Sequence, residues 1–179
     1  MLLATQPTGV ERPFPSGELI VTKTDLQGRI TYANDVFCTL SRYEEADVLG
    51  KPHSLVRHPD MPRGVFTLLW DTIASGQEIF AYVVNLASDG CHYWVFAHVT
   101  PRFDSRGSLV GYHSNRRPPQ QGALAEVRPI YRRMLEVEQQ YSRATEAANA
   151  GLQFLENHLA EAGMTYDEWV WAITDGDVA

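Results

Sequence analysis

The hydrophobic residues that follow Leu19 occur in two short β-favouring runs around a glycine turn. LIVTKTD and ITYAN are rich in β-branched and aromatic residues, and DLQGR between them contains Gly28. Two such runs joined by a glycine-containing turn predict a β-hairpin. At Asn34 the apolar spacing changes to that of a helix, and Asn34 is a good N-cap residue, so a short helix is predicted directly after the hairpin.

A longer helix and three more strands are predicted in the middle of the chain. The segment from Pro52 to Pro62 is too interrupted for a long helix, whereas the apolar residues from Arg63 to Ser75 recur at helical spacing up to Gly76. The runs IFAYVVNLA, CHYWVFAHVTPRF and LVGYHSN follow, separated by SDG and DSRG turns. This order predicts an α+β fold in which a five-stranded antiparallel sheet carries short helices on one face and curves into a half-open cup.

The two ends of the chain differ in composition from this middle part. Residues 1–16 contain three prolines without an apolar period and predict a flexible or loosely docked arm. After RRPP the chain becomes rich in Ala, Glu, Leu and Gln, which predicts a helical segment over residues 119–179 for packing, dimerisation or output. Its apolar residues recur about every 3.5 residues, but this pattern is too weak to predict a stable long coiled coil. Thr165 and Glu168 match a capping box before a last short helix.

Charge and composition exclude several classes of function. The formal net charge of -7 argues against a nucleic-acid-binding surface. No run reaches the about 18 apolar residues that span a bilayer, and the N-terminus lacks a signal-peptide pattern, so we expect a cytoplasmic protein without a membrane span. Cys38 and Cys91 have neither disulfide-framework nor zinc-ligand spacing, and we expect no metal site.

Four motifs carry a resemblance to a known family. TDLQGRITYANDVF, YEEADVLGKPHSLVRHPDMP, VFTLLW and DGCHYWV resemble the PAS domain of bacterial aerotaxis receptors, and the resemblance covers residues 17–118. That domain binds FAD non-covalently. The resemblance implies a PAS fold, an FAD rather than an FMN whose redox state follows cellular electron transport, and signalling by conformational change without enzymatic catalysis.

The chain departs from those receptors after Pro118. They continue into a membrane anchor and a long signalling hairpin, and this sequence has neither before Ala179. We therefore expect the output to reach a separate partner protein. Homodimerisation stays open, as does the question of whether the pathway is chemotaxis.

An FAD site needs an apolar slot, hydrogen-bonding groups for the flavin edge, and positive groups for the pyrophosphate. Arg57 and His58 precede Pro59 on a loop, where an arginine fork binds phosphate oxygens and a histidine donates a hydrogen bond. Asp60 can fix that arginine or accept from the ribose. The alternative is that RHPD is a surface loop with a local ion pair. His53 lies on the same segment and completes this part of the predicted site.

The other predicted cofactor contacts lie on the helices and strands. Trp70 is predicted to wall the cavity, to pack in the core, or both. Asn34 caps its helix, and the family resemblance implies that it also lines the pocket. Asn85 is a polar amide in an apolar strand and needs a partner, which a flavin edge supplies.

The light-sensing flavin branch of the PAS superfamily is similar in the same strands. It has an asparagine at the place of Asn85, a second one where this chain has Val95, and a flavin-contacting glutamine that aligns with His113. The similarity therefore implies that His113 lies near flavin O4 and N5. The cysteine loop of that branch, NCRF, is replaced by VRHP, so no light-driven cysteinyl adduct is expected.

Two other functions stay open at this stage. The first is a PAS interaction or dimerisation module that holds haem, through His53 or His58, or another small ligand. The second is a flavoenzyme, for which His113 is the acid/base candidate.

Overall fold

The computed structural model describes residues 5–175, so residues 1–4 of the predicted arm and residues 176–179 of the predicted helical segment lie outside it. The strands are β1 Ile20–Thr24, β2 Ile30–Ala33, β3 Ile79–Leu86, β4 His92–Phe103 and β5 Leu109–Arg117. The helices are α1 Asp35–Ser41, α2 Glu45–Val48, α3 Arg63–Ala74, α4 Gln121–Glu138, α5 Ala144–Glu161 and α6 Tyr166–Asp175. A short 3₁₀ helix spans His53–Val56.

The five strands form one antiparallel sheet in the order β2-β1-β5-β4-β3. The predicted α+β architecture is therefore confirmed. Strand β5 ends at Arg117, two residues beyond the end expected from the apolar pattern, and pairs with both β1 and β4. The last part of the chain before the C-terminal helices is thus a central strand of the sheet.

The sheet has an inner and an outer face, and the side chains alternate between them. In β4, Tyr93, Val95 and Ala97 are buried on the inner face, which packs against the helices of the first half of the chain. Their neighbours Trp94 and Phe96 lie on the outer face and are half-buried. The alternation decides which side chains of each strand reach a site on the inner face.

Side-chain caps fix the starts of two helices. Asn34 Oδ1 accepts from the backbone N–H of Phe37 at 3.1 Å, which confirms its predicted role as N-cap of α1. At α6 the backbone N–H of Thr165 donates to Glu168 Oε2 at 2.7 Å, and that of Glu168 donates to Thr165 Oγ1 at 3.3 Å. This reciprocal pair is the predicted capping box.

The N-terminal segment is attached to the turn between β3 and β4. The backbone N–H of Thr8 donates to Gly90 O at 2.8 Å, and Arg12 donates to Leu40 O at 2.8 Å and forms an ion pair with Asp89 at 2.5 Å. Residues 8–12 are therefore docked on the sheet.

The helical segment after β5 folds back as three helices. Helix α5 packs against α3 and α4, and α4 is joined to β3 by a hydrogen bond of 2.7 Å from the Tyr131 hydroxyl to Tyr82 O. The hydroxyls of Thr174 and Tyr82 lie 2.6 Å apart and connect α6 to the same strand. The apolar residues of the three helices belong to the same hydrophobic core as the sheet. None of the helices within residues 5–175 is long and apolar enough to cross a membrane.

Two glycines allow α3 and α5 to approach closely. A Cβ at Gly64 would lie 2.7 Å from the carbonyl carbon of Gly151 and would also overlap the backbone of Leu152. The missing side chain at Gly64 therefore sets the distance between the predicted long helix and the C-terminal segment.

Replacing Gly64 by Ala should lower the free energy of unfolding by roughly 1–3 kcal/mol, because the added methyl group forces α3 and α5 apart. Urea unfolding followed by circular dichroism measures this change. Gly17→Ala is the matched control, since a Cβ at Gly17 meets no atom within 4 Å. Equal stability of the two variants would contradict the close packing of the helices.

Candidate functional site

A cavity of about 670 Å³ lies between the inner face of the sheet, α3 and the start of α5. This volume is in the range of pockets that hold cofactors and other small molecules. Its walls come from β1, β3, β4 and β5, from the 3₁₀ segment, from α3, and from Ala144, Thr145, Ala148 and Asn149 of α5. The C-terminal helices thus complete a site that the sheet and α3 alone would leave more open.

A buried arginine lies on the inner face of β5. Arg116 is 6% exposed, and its Nη2 donates to Thr22 Oγ1 at 3.1 Å and lies 2.6 Å from His53 Nε2. Burial lowers the pKa of Arg116 to about 10. Burial, followed by the charge of Arg116, holds the pKa of His53 well below its usual value. His53 is therefore neutral in the folded protein, and its Nε2 accepts from the guanidinium group.

Several polar atoms of the cavity wall are buried and have no hydrogen-bond partner among the described residues. They are Asn85 Nδ2, His113 Nε2, Ser114 Oγ and Arg116 Nη1. Buried polar groups without partners cost about 1–3 kcal/mol each, and most such groups in proteins are paired. Four unpaired groups in one cavity wall indicate a site shaped for a polar ligand.

The cavity wall is positively charged although the chain as a whole is acidic. Arg57, Arg63 and Arg116 line the cavity, whereas Asp71 is its one acidic residue among those described. Arg57 is half-buried, and its guanidinium carbon lies 4.4 Å from the centre of the Phe66 ring. An excess of arginines in a partly desolvated cavity favours an anionic ligand.

Aromatic residues form another part of the wall. The rings of Trp70 and Tyr112 meet edge to face with their centres 5.5 Å apart, and both line the cavity. Gly28 lies under the indole, since a Cβ there would be 2.8 Å from Trp70 Cη2, and its φ of +74° suits glycine. Such a wall can pack against a planar ring system.

Five of the predicted site residues lie together in the cavity wall. They are His53 of the 3₁₀ segment, Arg57 directly after it, Trp70 of α3, Asn85 of β3 and His113 of β5. Their grouping agrees with the sequence hypothesis, but their contact with a cofactor stays a prediction.

His113 of β5 also borders the cavity. It alternates with the buried Tyr112, Ser114 and Arg116, and its Nε2 is buried without a hydrogen-bond partner among the described residues. Burial lowers the pKa of His113, and nearby positive charges, Lys23 first among them, lower it further. A contact of His113 with the flavin edge stays a prediction.

Asn34, His58 and Asp60 are not among the residues that line the cavity. The Asn34 side chain is engaged elsewhere: its Oδ1 accepts from the backbone N–H groups of Phe37 and Val21, and its Nδ2 donates to Leu19 O. His58 is buried, and its Nδ1 accepts from the backbone N–H of Asp60 at 3.1 Å, while the Asp60 side chain is exposed. The predicted roles of these three residues as cofactor contacts have no support from the cavity and stay predictions.

Sequence reasoning missed Arg116, Ser114, Thr22 and the residues of α5. Arg116 was left outside the predicted strand LVGYHSN, although it continues the alternation of Tyr112 and Ser114 and is therefore an inward position. No local signal pointed to the α5 residues, because the apolar pattern of a helix does not tell which surface of the sheet or of other helices it covers.

Comparison with known proteins agrees with this fold. A family model described as the PAS fold matches residues 20–114. The aerotaxis receptor of Escherichia coli (strain K12) is 38% identical over 120 residues, which are 67% of this chain and 24% of the receptor. The nitrogen fixation regulatory protein of Klebsiella pneumoniae is 32% identical over 51% of this chain and 19% of that protein. The chain therefore spans about a quarter or less of the length of these curated relatives. The match to the PAS fold and the similarity to the aerotaxis receptor confirm the resemblance found in the sequence motifs.

Two solved structures share the fold at low sequence identity. A Light-Oxygen-Voltage domain studied with a flavin analogue has a TM-score of 0.53 and 18% identity, over 66% of this chain and 85% of that chain. The light state of the blue-light photoreceptor Aureochrome1 LOV has a TM-score of 0.51 and 21% identity, over 66% of this chain and 91% of that chain. At this identity the similarity shows the fold alone.

The buried pair of His53 and Arg116 predicts a pH dependence of stability. Because the folded-state pKa of His53 lies below the value of about 6.5 in the unfolded chain, the unfolded state binds more protons at acidic pH. The stability from neutral His53 is present above about pH 6.5 and is lost as the pH falls towards the folded-state pKa.

Urea unfolding at pH 7 and pH 5 should therefore show a smaller loss of stability for His53→Gln than for the wild type, with a limit of about 1.4 kcal/mol per pH unit. His158→Gln, on α5 and outside the cavity, is the control and should behave like the wild type. The same pH dependence in His53→Gln and the wild type would contradict the buried neutral imidazole.

Proposed function

The chain belongs to the PAS family, and from this premise we propose that it is a redox-sensing module that binds FAD in the cavity and signals by conformational change. Bound FAD would supply reversible electron uptake at its isoalloxazine ring. The observation that carries the proposal is the composition of the cavity wall, which combines three arginines, unpaired polar groups and aromatic side chains.

The arginines support a dinucleotide rather than an uncharged flavin. A pyrophosphate carries negative charge, and Arg57 and Arg63 line the cavity near the start of α3. A guanidinium fork binds phosphate oxygens by charge-assisted hydrogen bonds. Arg57 is the residue assigned to the pyrophosphate, as in the sequence hypothesis.

The unpaired groups on the sheet support recognition of the polar edge of a flavin. That edge alternates carbonyl and N–H groups, for which the amide of Asn85 offers both an acceptor and donors. Ser114 and Arg116 lie on the same inner face and add further hydrogen-bonding atoms. Trp70 and Tyr112 would pack against the apolar part of the ligand.

The aerotaxis receptor is a signalling protein by its name, and a signalling role for this chain is proposed from that similarity. The residues of α5 in the cavity wall connect the ligand site to the C-terminal helices, so a change in the ligand can bias their packing. The output would reach a separate partner protein in the cytoplasm, and homodimers would form through surfaces outside the cavity. No catalytic step is assigned to the site.

Haem is the competing ligand, because His53 lines the cavity as a neutral imidazole. Its Nε2, however, lies 2.6 Å from Arg116 Nη2 and is engaged by that group. An iron atom would have to displace the arginine, which disfavours axial ligation.

The purified protein, after incubation with FAD if it is isolated without a cofactor, should show the visible bands of oxidised flavin and no Soret band. Heating should release FAD, which chromatography separates from FMN. Release of FMN alone, absence of flavin after reconstitution, or a Soret band would overturn the proposal.

Replacing Arg57 by Ala should weaken FAD binding by about tenfold to hundredfold, because a charge-assisted hydrogen bond contributes roughly 1.5–3 kcal/mol. Fluorescence titration of FAD measures the dissociation constant. Arg106→Ala, in the exposed turn between β4 and β5, is the charge-matched control and should bind as the wild type does. Equal affinity of the two variants would return Arg57 to the role of a surface-loop residue.

A further inference from the structure

The buried carboxylate of Glu138 joins the end of α4 to the start of α3. Glu138 is 5% exposed, and its two oxygens accept hydrogen bonds of 2.9 Å from the backbone N–H groups of Arg63 and Gly64. The N-cap position of α3 is Pro62, whose side chain forms no capping hydrogen bond. Glu138 therefore supplies the missing N-terminal cap from a distant helix and places a negative charge at the positive end of the α3 dipole.

The packing around this carboxylate leaves little freedom. A Cβ at Gly151 of α5 would lie 2.9 Å from Glu138 Cδ and would overlap a carboxylate oxygen, and a Cβ at Gly64 would overlap α5. Three helices thus meet at one carboxylate, and each of the two glycines is needed for the approach. A contact that only stabilised the fold would not need three helices to approach one carboxylate so closely.

Two of these three helices, α3 and α5, form one wall of the cavity. α3 contributes Phe66, Leu69 and Trp70, and α5 contributes Ala144 and Ala148. Glu138 also acts on the cavity electrostatically, because its charge raises the pKa of Arg57 against the larger lowering by burial and by Arg63. Docking of the α4–α5 hairpin, residues 121–161, therefore contributes to the shape of the cavity and to the electrostatics of Arg57.

We propose that Glu138 is a latch that holds the α4–α5 hairpin closed over the cavity, so that ligand binding and hairpin docking stabilise each other. This inference rests on the proposed function in taking FAD as the ligand. A ligand that contacts both α3 and α5 binds the docked state more tightly, and by linkage the docked state binds the ligand more tightly. Glu138 is a positioning residue, because it acts through α3 and α5 and does not line the cavity itself.

The test compares Glu138→Gln with Glu136→Gln in the full chain. Glu136 lies exposed on the same helix, so the control removes the same charge without touching α3. The glutamine amide keeps one acceptor oxygen but sets an NH₂ group against the second backbone donor. Hydrogen exchange of the ligand-free protein should then be about tenfold to hundredfold faster in residues 144–150 and 63–66. Exchange in the β4 core, residues 93–99, should change less than in these two segments.

FAD binding supplies the second readout. The dissociation constant should rise about tenfold or more in Glu138→Gln, because the fraction of docked, binding-competent protein is smaller, and saturating FAD should restore slow exchange in residues 144–150. Gly151→Ala is a second variant that keeps the charge and displaces the carboxylate, and it should behave in the same way.

Three results would overturn the latch. They are unchanged exchange in Glu138→Gln, equal acceleration in the hairpin and in β4, and an opened hairpin that binds FAD with unchanged affinity. Absence of FAD binding in the wild type would instead overturn the FAD assignment, and exchange of the ligand-free variants would still decide whether Glu138 holds the hairpin.

Discussion

The buried guanidinium group of Arg116 is the constraint on which the interpretation of the cavity depends. It lies on a central strand, donates to Thr22 and His53, and forms no salt bridge with a carboxylate of residues 5–175. Burial of a charge without an opposite partner is costly. Burial of His53 itself, followed by the nearby charge of Arg116, lowers the pKa of His53 and keeps the imidazole neutral. A sheet that retains such a group beside unpaired Asn85 and Ser114 is organised for a ligand rather than for maximal stability.

The cavity belongs to two parts of the chain that lie far apart in the sequence. The sheet and α3 supply the charged and aromatic groups, and α5 closes the wall. Because α3 and α5 meet at Gly64 and Gly151, the cavity and the C-terminal helices form one packed unit with a single hydrophobic core. Under the proposed function the transfer of a signal would need no separate connecting element, since α5 already lines the cavity.

The local pattern predicted the elements of the fold but only part of the site. Alternating runs, helical spacing and the caps at Asn34 and Thr165 are local signals, and each of them matches the structure. Site geometry depends on strand register and on which face a helix covers. A shift of one residue in a strand reverses the direction of every side chain, so the apolar pattern alone did not show that Ser114 and Arg116 line the cavity beside Tyr112.

Long-range packing limited the prediction in the same way elsewhere. The segment around Arg57 and His58 was predicted as one phosphate-binding unit; Arg57 lines the cavity, whereas His58 is buried beside His92, and the role of His58 stays a prediction. The cap of α3 by Glu138 joins residues 75 positions apart, so no local pattern could indicate it.

Isothermal titration of the ligand-free protein with FAD, FMN and riboflavin, carried out in parallel at low and high salt, tests the central claim most directly. The account predicts the tightest binding for FAD, weaker binding for FMN and the weakest for riboflavin, with differences that shrink at high salt because the arginines recognise the phosphates. Equal affinities for the three flavins, or binding of riboflavin alone, would contradict a cavity built to hold an anionic dinucleotide.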